Sequence, residues 1–154
     1  MKGITFQHTK GEGLHIGIVQ ARWNNEYTDS LTQACVDALN TCGVQQEDII
    51  VTQVPGSYEV VRGAKYMIEE KKVDAVIAIG VLIKGETMHF EYISDAVSKG
   101  LMDLNIAYDI PVIFGVLTCL TEEQARERSV GEKNHGGGWG MSAVEMARLI
   151  KNGD

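Results

Sequence analysis

Apolar positions along the chain gather into four short, nearly continuous runs: LHIGIVQ at 14–20, DIIVTQV at 48–54, DAVIAIGVLI at 74–83 and IPVIFGVLT at 110–118. They are dense in Val and Ile and lack the strict alternation of a half-exposed sheet. That pattern predicts strands buried on both faces, the mark of a parallel sheet. Between the runs the apolar positions change to a helical period. From Asn25 to Cys42, the residues Tyr27, Leu31, Cys35, Ala38, Leu39 and Cys42 share one face, and Gly43 is a plausible stop. A second helix follows Pro55-Gly56-Ser57, with Val60, Val61, Ala64, Met67 and Ile68 in phase until EEKK ends it. A third, beginning near Thr87, aligns Phe90, Ile93, Val97, Leu101 and Leu104 as a core face. Thr121 and Gln124 have the spacing of a capping box at the start of a short helix. A last helix, about Trp139 to Lys151, follows what reads as a glycine-rich loop.

Strand and helix alternate throughout, without repeat, linker or low-complexity tract. This predicts a three-layer α/β/α sandwich with right-handed crossovers, a single domain over 1–154 whose residues 1–13 form an N-terminal extension. In such sheets ligands bind beyond the carboxyl ends of the strands. The rule gathers four separate loops into one place: 21–24, 55–59, 84–89 and the segment after Phe114.

Composition narrows the partners. With 14 basic against 21 acidic residues the formal charge is −7, which argues against a nucleic-acid or anionic-membrane surface, so any anionic ligand must be held locally. Cys35, Cys42 and Cys119 form no CxxC pair and read as small buried hydrophobes in a reducing compartment. No apolar run approaches the roughly 20 residues of a membrane span, and the first residues lack a signal-peptide core. A cytoplasmic location is expected, unless an organelle-targeting segment has been removed.

The candidate chemistry lies in the gathered loops. Lys84-Gly85-Glu86-Thr87 feeds a helix start whose amides and dipole would attract an anion, most naturally a phosphate. Glu86 speaks against this unless its side chain points outward. His89 falls in the first turn of that helix, where an imidazole can take or give a proton near neutral pH; a capping or core histidine is the plain alternative. Trp23 and Asn24, directly after the first strand, would offer a heteroaromatic ring a stacking face and a hydrogen-bonding edge. Ser57, Tyr58 and Glu59 open the second helix and could bind a polyol, or could form an ordinary helix start. Arg128 ends the capped helix, and Lys133 and His135 sit in the loop beyond. There is no GxSxG elbow, no GxGxxG turn and no HExxH spacing, which leaves nucleophilic, dinucleotide and zinc chemistry without support.

Taken together, Ala21-Arg22-Trp23-Asn24, Val54-Pro55-Gly56-Ser57-Tyr58-Glu59, the run from Gly80 to Tyr92, Phe114-Gly115-Val116-Leu117-Thr118 and Glu122-Glu123-Gln124-Ala125-x-Glu127-Arg128 resemble the lumazine synthase family. The resemblance implies a flavodoxin-like fold and the penultimate step of riboflavin biosynthesis. In that reaction 5-amino-6-(D-ribitylamino)uracil and 3,4-dihydroxy-2-butanone 4-phosphate condense to 6,7-dimethyl-8-ribityllumazine, phosphate and water, with no metal or organic cofactor. By the same likeness Trp23 would stack on the pyrimidine, with Asn24 beside it. Ser57, Tyr58 and Glu59 would contact the ribityl chain, and Val81, Leu82 and Ile83 would address the uracil edge mainly by backbone groups. Phe114 would close the ring pocket. Glu86 and Thr87 would hold the phosphate with Arg128 as its cationic partner, Lys133 and His135 would be additional contacts, and His89 would shuttle protons. The family's homopentamers share active sites between neighbouring subunits, which would bring Phe114 and Arg128 of one chain to the Trp23 and His89 loops of the next, and some pack into 60-subunit cages. Here His135 stands where many members carry a lysine, and 129–140 looks shortened. With Trp23 this resembles fungal-type members and favours the isolated pentamer. The competing reading is a non-catalytic flavin- or lumazine-binding carrier on the same fold.

Overall fold

The computed structural model describes residues 3–6 and 10–153. Four strands, β1 (Ile16–Ala21), β2 (Ile49–Val54), β3 (Ala75–Ile83) and β4 (Val112–Cys119), form one parallel sheet in the order β2-β1-β3-β4. Five helices connect or follow them: α1 (Asn25–Thr41), α2 (Val60–Tyr66), α3 (His89–Ala107), α4 (Glu122–Ser129) and α5 (Gly136–Asn152). Alternate strand residues feed two cores. Ile16, Ile18, Ile77 and Ile79 pack with Leu31, Cys35, Leu39, Val144 and Ala147 of α1 and α5. Val19, Val76, Ala78 and Val116 pack with Val60, Ala64, Val97 and Leu101 of α2 and α3. The result is the expected three-layer α/β/α sandwich.

Full burial on both faces holds for β1 and most of β3 but not for β2, where Val51 and Gln53 are exposed. β2 and β4 are the sheet edges, and an edge strand is only partly covered by the helices on either side. α2 continues through a π-helical turn, Met67–Lys71, and stops at Lys72 in the left-handed conformation. α3 starts at His89, two residues later than the apolar phase suggested.

The glycine-rich segment before the last helix is itself helical. α5 begins at Gly136, and its glycines permit close approach where a flexible loop was expected. A Cβ on Gly136 would come within 2.2 Å of Leu31 O, and one on Gly140 within 2.9 Å of Cys35 O. Cys35 Sγ donates to Gly136 O at 3.1 Å across the same seam. Arg148 of α5 donates to the carbonyls of Lys10 and Glu12, 2.6 Å each, which pins the chain before β1. The remaining part of the expected N-terminal extension, residues 1–2 and 7–9, lies outside the described residues.

Candidate active site

The chain leaves β1 for β2 on one side and returns through α2 to β3 on the other, so a crevice opens between the carboxyl ends of β1 and β3. A cleft of about 670 Å³ occupies it, lined by Trp23, Asn24, residues 55–59, Leu82, Ile83, Gly85, Thr87, His89, Phe90 and Ile93.

The wall next to β1 is built by backbone. Arg22 N–H donates to Val54 O at 2.8 Å and Trp23 N–H to Pro55 O at 3.0 Å, extending the β1–β2 pairing and holding the Trp23 turn beside the Pro55 loop. Asn24 then turns the chain into α1 at φ 60°, a left-handed conformation that asparagine adopts more readily than most residues. Its Nδ2 donates to Val81 O at 2.8 Å and ties β1 to β3 across the crevice. Thr28 Oγ1 donates to Ala21 O at 2.8 Å, and buried Gln20 donates to Asp29, so the first turn of α1 is fixed from below. Trp23 itself is 74% exposed. Its indole is a free stacking face at the cleft mouth.

Ser57 is buried with its Oγ over Gly80, where a Cβ would lie 2.3 Å away; the missing side chain at 80 is what lets this turn close on β3. Glu59 Oε2 accepts the Gly56 N–H at 3.0 Å, so one carboxylate oxygen already braces its own turn. Tyr58 is exposed at the rim. Leu82 and Ile83 form wall, whereas Val81 is buried beneath it with its carbonyl engaged by Asn24.

The loop before α3 divides its side chains. Gly85 and Thr87 face the cleft, while Glu86 is exposed and not part of its lining. Thr87 Oγ1 accepts the His89 N–H at 3.4 Å. Lys84 Nζ pairs with Glu91 Oε1 at 2.5 Å, tying the loop to α3. Hydrogen bonding from Lys84 and the Glu91 backbone amide holds that carboxyl below its usual range. His89 stands on the cleft wall at the N-terminal end of α3.

Phe114 and Arg128, which the resemblance assigns to a neighbouring subunit's cleft, lie outside this one. β4 runs on to Cys119, and Phe114 lies inside the strand run, where it pairs with Ala78 in mid-sheet. It lines a separate groove with Phe90, Glu91, Ser94, Thr118 and Leu120. Arg128, with Glu127, Lys133 and His135, lines a third cleft of about 270 Å³. Its guanidinium donates to Gln124 O at 3.1 Å. His135 meets Trp139 edge to face, with centroids 6.1 Å apart. Partial desolvation, then the neighbouring Arg128 charge, push the His135 ring below its ordinary pKa.

That shift has a sign. An imidazole that protonates less readily in the folded chain makes unfolding the proton-binding step, so stability rises with pH through the window just below 6.5. The thermal midpoint is expected to fall between pH 7 and pH 5.5 more steeply in the parent than in His135→Gln. Equal slopes would show that this ring carries none of the acid sensitivity.

Two cleft residues were read only as core: Phe90 and Ile93 are half-buried and line the wall. The available signal was Ile93, four residues after His89 and three after Phe90, which puts it beside both on the helix surface. Among the described residues no group of three or more His, Cys, Asp or Glu is placed to hold a metal ion. No helix among them is long and apolar enough to cross a membrane.

The fold is a flavodoxin-like α/β sandwich, and its switch-point crevice gathers an indole, a helix start and one imidazole. Residues 13–151 match the family model of 6,7-dimethyl-8-ribityllumazine synthase. Curated relatives of that name include those of Schizosaccharomyces pombe, 47% identical over 95% of this chain and 94% of the relative, and Aquifex aeolicus, 46% identical over 92% of each. The relative from Pyricularia oryzae is 40% identical over 94% of this chain and 92% of its own length. The chain belongs to the 6,7-dimethyl-8-ribityllumazine synthase family, transferases of riboflavin biosynthesis.

Proposed function

We propose that the chain condenses 5-amino-6-(D-ribitylamino)uracil with 3,4-dihydroxy-2-butanone 4-phosphate to 6,7-dimethyl-8-ribityllumazine, phosphate and water. One observation carries this reading: a single cleft collects Trp23, Asn24, Ser57, Tyr58, Glu59, Leu82, Ile83 and His89 from three loops distant in sequence. Trp23 stacks on the pyrimidine, and Asn24, its Nδ2 spent on Val81 O, offers its carbonyl oxygen. Ser57, Tyr58 and Glu59 line the path of the ribityl chain. The phosphate is held by the amides of Glu86 and Thr87 at the start of α3. There the dipole favours an anion. His89 moves the protons that imine formation, phosphate loss and ring closure each require.

In this reading Arg128 and Phe114 complete the site of a neighbouring copy. The support is that both lie outside the cleft of their own chain. Apolar residues left exposed on α3, Tyr92, Met102 and Ile106, with Met88 just before it, give such a neighbour a surface to cover. A homopentamer is therefore the working assembly, in the cytoplasm, where three free and buried cysteines are at home.

Incubating the chain with both substrates is expected to give lumazine absorbance and stoichiometric phosphate. If neither forms while riboflavin binds tightly, the chain is a carrier and not an enzyme. Light scattering separates pentamer from cage, which differ twelvefold in mass.

A further inference from the structure

Arg128 stands on α4, a helix of 8 residues with only Ala125 and Ser129 buried. So small a core contact leaves the rotation of α4 about its own axis weakly held, and the aim of the guanidinium with it. What grips the exposed side of α4 is a latch from α1. Tyr27, 2% exposed, donates its hydroxyl to Glu122 Oε1 at 2.7 Å and accepts from the Arg126 guanidinium at 3.3 Å. Arg126 also lies over the Tyr27 ring, 5.5 Å from its centroid, and pairs with Glu26 at 2.9 Å. Glu122 and Arg126 are one helical turn apart, so a single hydroxyl holds two successive points on one face of α4. At the far end Ser30 Oγ donates to Ser129 O at 2.6 Å.

A phenylalanine would fill the same ring space in the core. What the hydroxyl adds is directional contact to α4 and nothing to the cleft, whose lining does not include Tyr27. The hydrogen bond to Glu122 raises the phenol above its ordinary pKa, which keeps it a donor throughout the neutral range.

We propose that Tyr27 is a positioning residue for Arg128: its hydroxyl, clamped between Glu122 and Arg126, fixes the rotation of α4 and thereby the placement of the cation that meets the phosphate-bearing substrate. The inference rests on the proposed role of Arg128. It also gives α1 two tasks, since the same helix is entered through Asn24 at the cleft of its own chain while Tyr27 sets the cation offered to the next.

The test is a comparison of steady-state constants for both substrates in the parent, Tyr27→Phe, Arg128→Ala and the double variant. Tyr27→Phe is expected to raise KM for the butanone phosphate about three- to tenfold, the range that one ordinary hydrogen bond spans. KM for the pyrimidine should stay within twofold, and thermal midpoint and oligomer mass should be retained. In the Arg128→Ala background the same change should add nothing, since the group being aimed is gone. Glu122→Gln, which keeps an acceptor for the hydroxyl, should hold the parental KM, and Glu122→Ala should resemble Tyr27→Phe. A raised KM in Arg128→Ala with an unchanged one in Tyr27→Phe overturns the proposal alone, as does a Tyr27→Phe effect that persists in full on the Arg128→Ala background. An unchanged KM in Arg128→Ala removes the phosphate role of Arg128 and this proposal with it.

Discussion

Replacing His89 with alanine is expected to lower kcat about 100- to 10,000-fold, the usual contribution of one general acid/base, with both KM values within a fewfold of the parent. The imidazole sits at the first position of α3, on the wall of the crevice that also holds Trp23 and the Ser57 turn. Only the backbone N–H of His89 is engaged, by Thr87 Oγ1; among the described residues its ring has no hydrogen-bond partner. In the proposed reaction the ring is placed by the helix and faces a bound substrate without a competing partner. The other two histidines among the described residues do not share this position, since His15 pairs with Asp48 at the opposite end of the strands and His135 lies in the Arg128 cleft. Residual turnover is expected because holding two substrates together supplies much of the rate on its own. Single-turnover absorbance, with pyrimidine affinity measured separately, checks this. Parental kcat with intact binding would take His89 out of the mechanism.

Gly136→Ala is expected to destabilise the chain by about 3 kcal/mol, at the upper end of what an overpacked core position costs, or roughly 6 to 12 °C in thermal midpoint for a chain of this size. The new methyl would be 2.2 Å from Leu31 O and 2.9 Å from Ala34 Cβ. Neither is the flexible end of a side chain, so α1 and α5 would have to part. The separation would strain the Cys35–Gly136 contact and the bonds from Asn134 to Ser30 and Ser129 that lead into α4. Gly137→Ala is the matched control, because a Cβ there meets nothing within 4 Å. Its expected effect is neutral or a gain of up to about 1 kcal/mol from helix propensity. Similar midpoints for the two variants would mean that the α1–α5 seam can relax and that close approach is not what the glycine serves.

The two substitutions mark the boundary between what a linear reading reaches and what it misses. Four strands were legible to within two residues at each end, because burial of both sheet faces writes Val and Ile into the chain locally. The collection of Trp23, Ser57 and His89 at one end of the sheet was legible as well, through the rule that parallel strands put their ligand loops on one side. Gly136 was misread as loop, since the reason for a glycine inside α5 is a carbonyl on α1 more than a hundred positions away. Phe90 and Ile93 were assigned to the core for a related reason: periodicity tells which residues share a helical face, not what that face meets.

By itself the sequence determined the layer architecture, the loops that bear chemistry and the family resemblance carried by their side chains. All of these depend on residue types at short spacings along one element. Only the tertiary structure decided that Asn24 spends its amide on Val81. It also clamped α4 to α1 through Tyr27. Each of these is a meeting of groups distant in the chain, set by strand order and helix packing, and no local pattern of hydrophobic and polar positions encodes the distance between such groups.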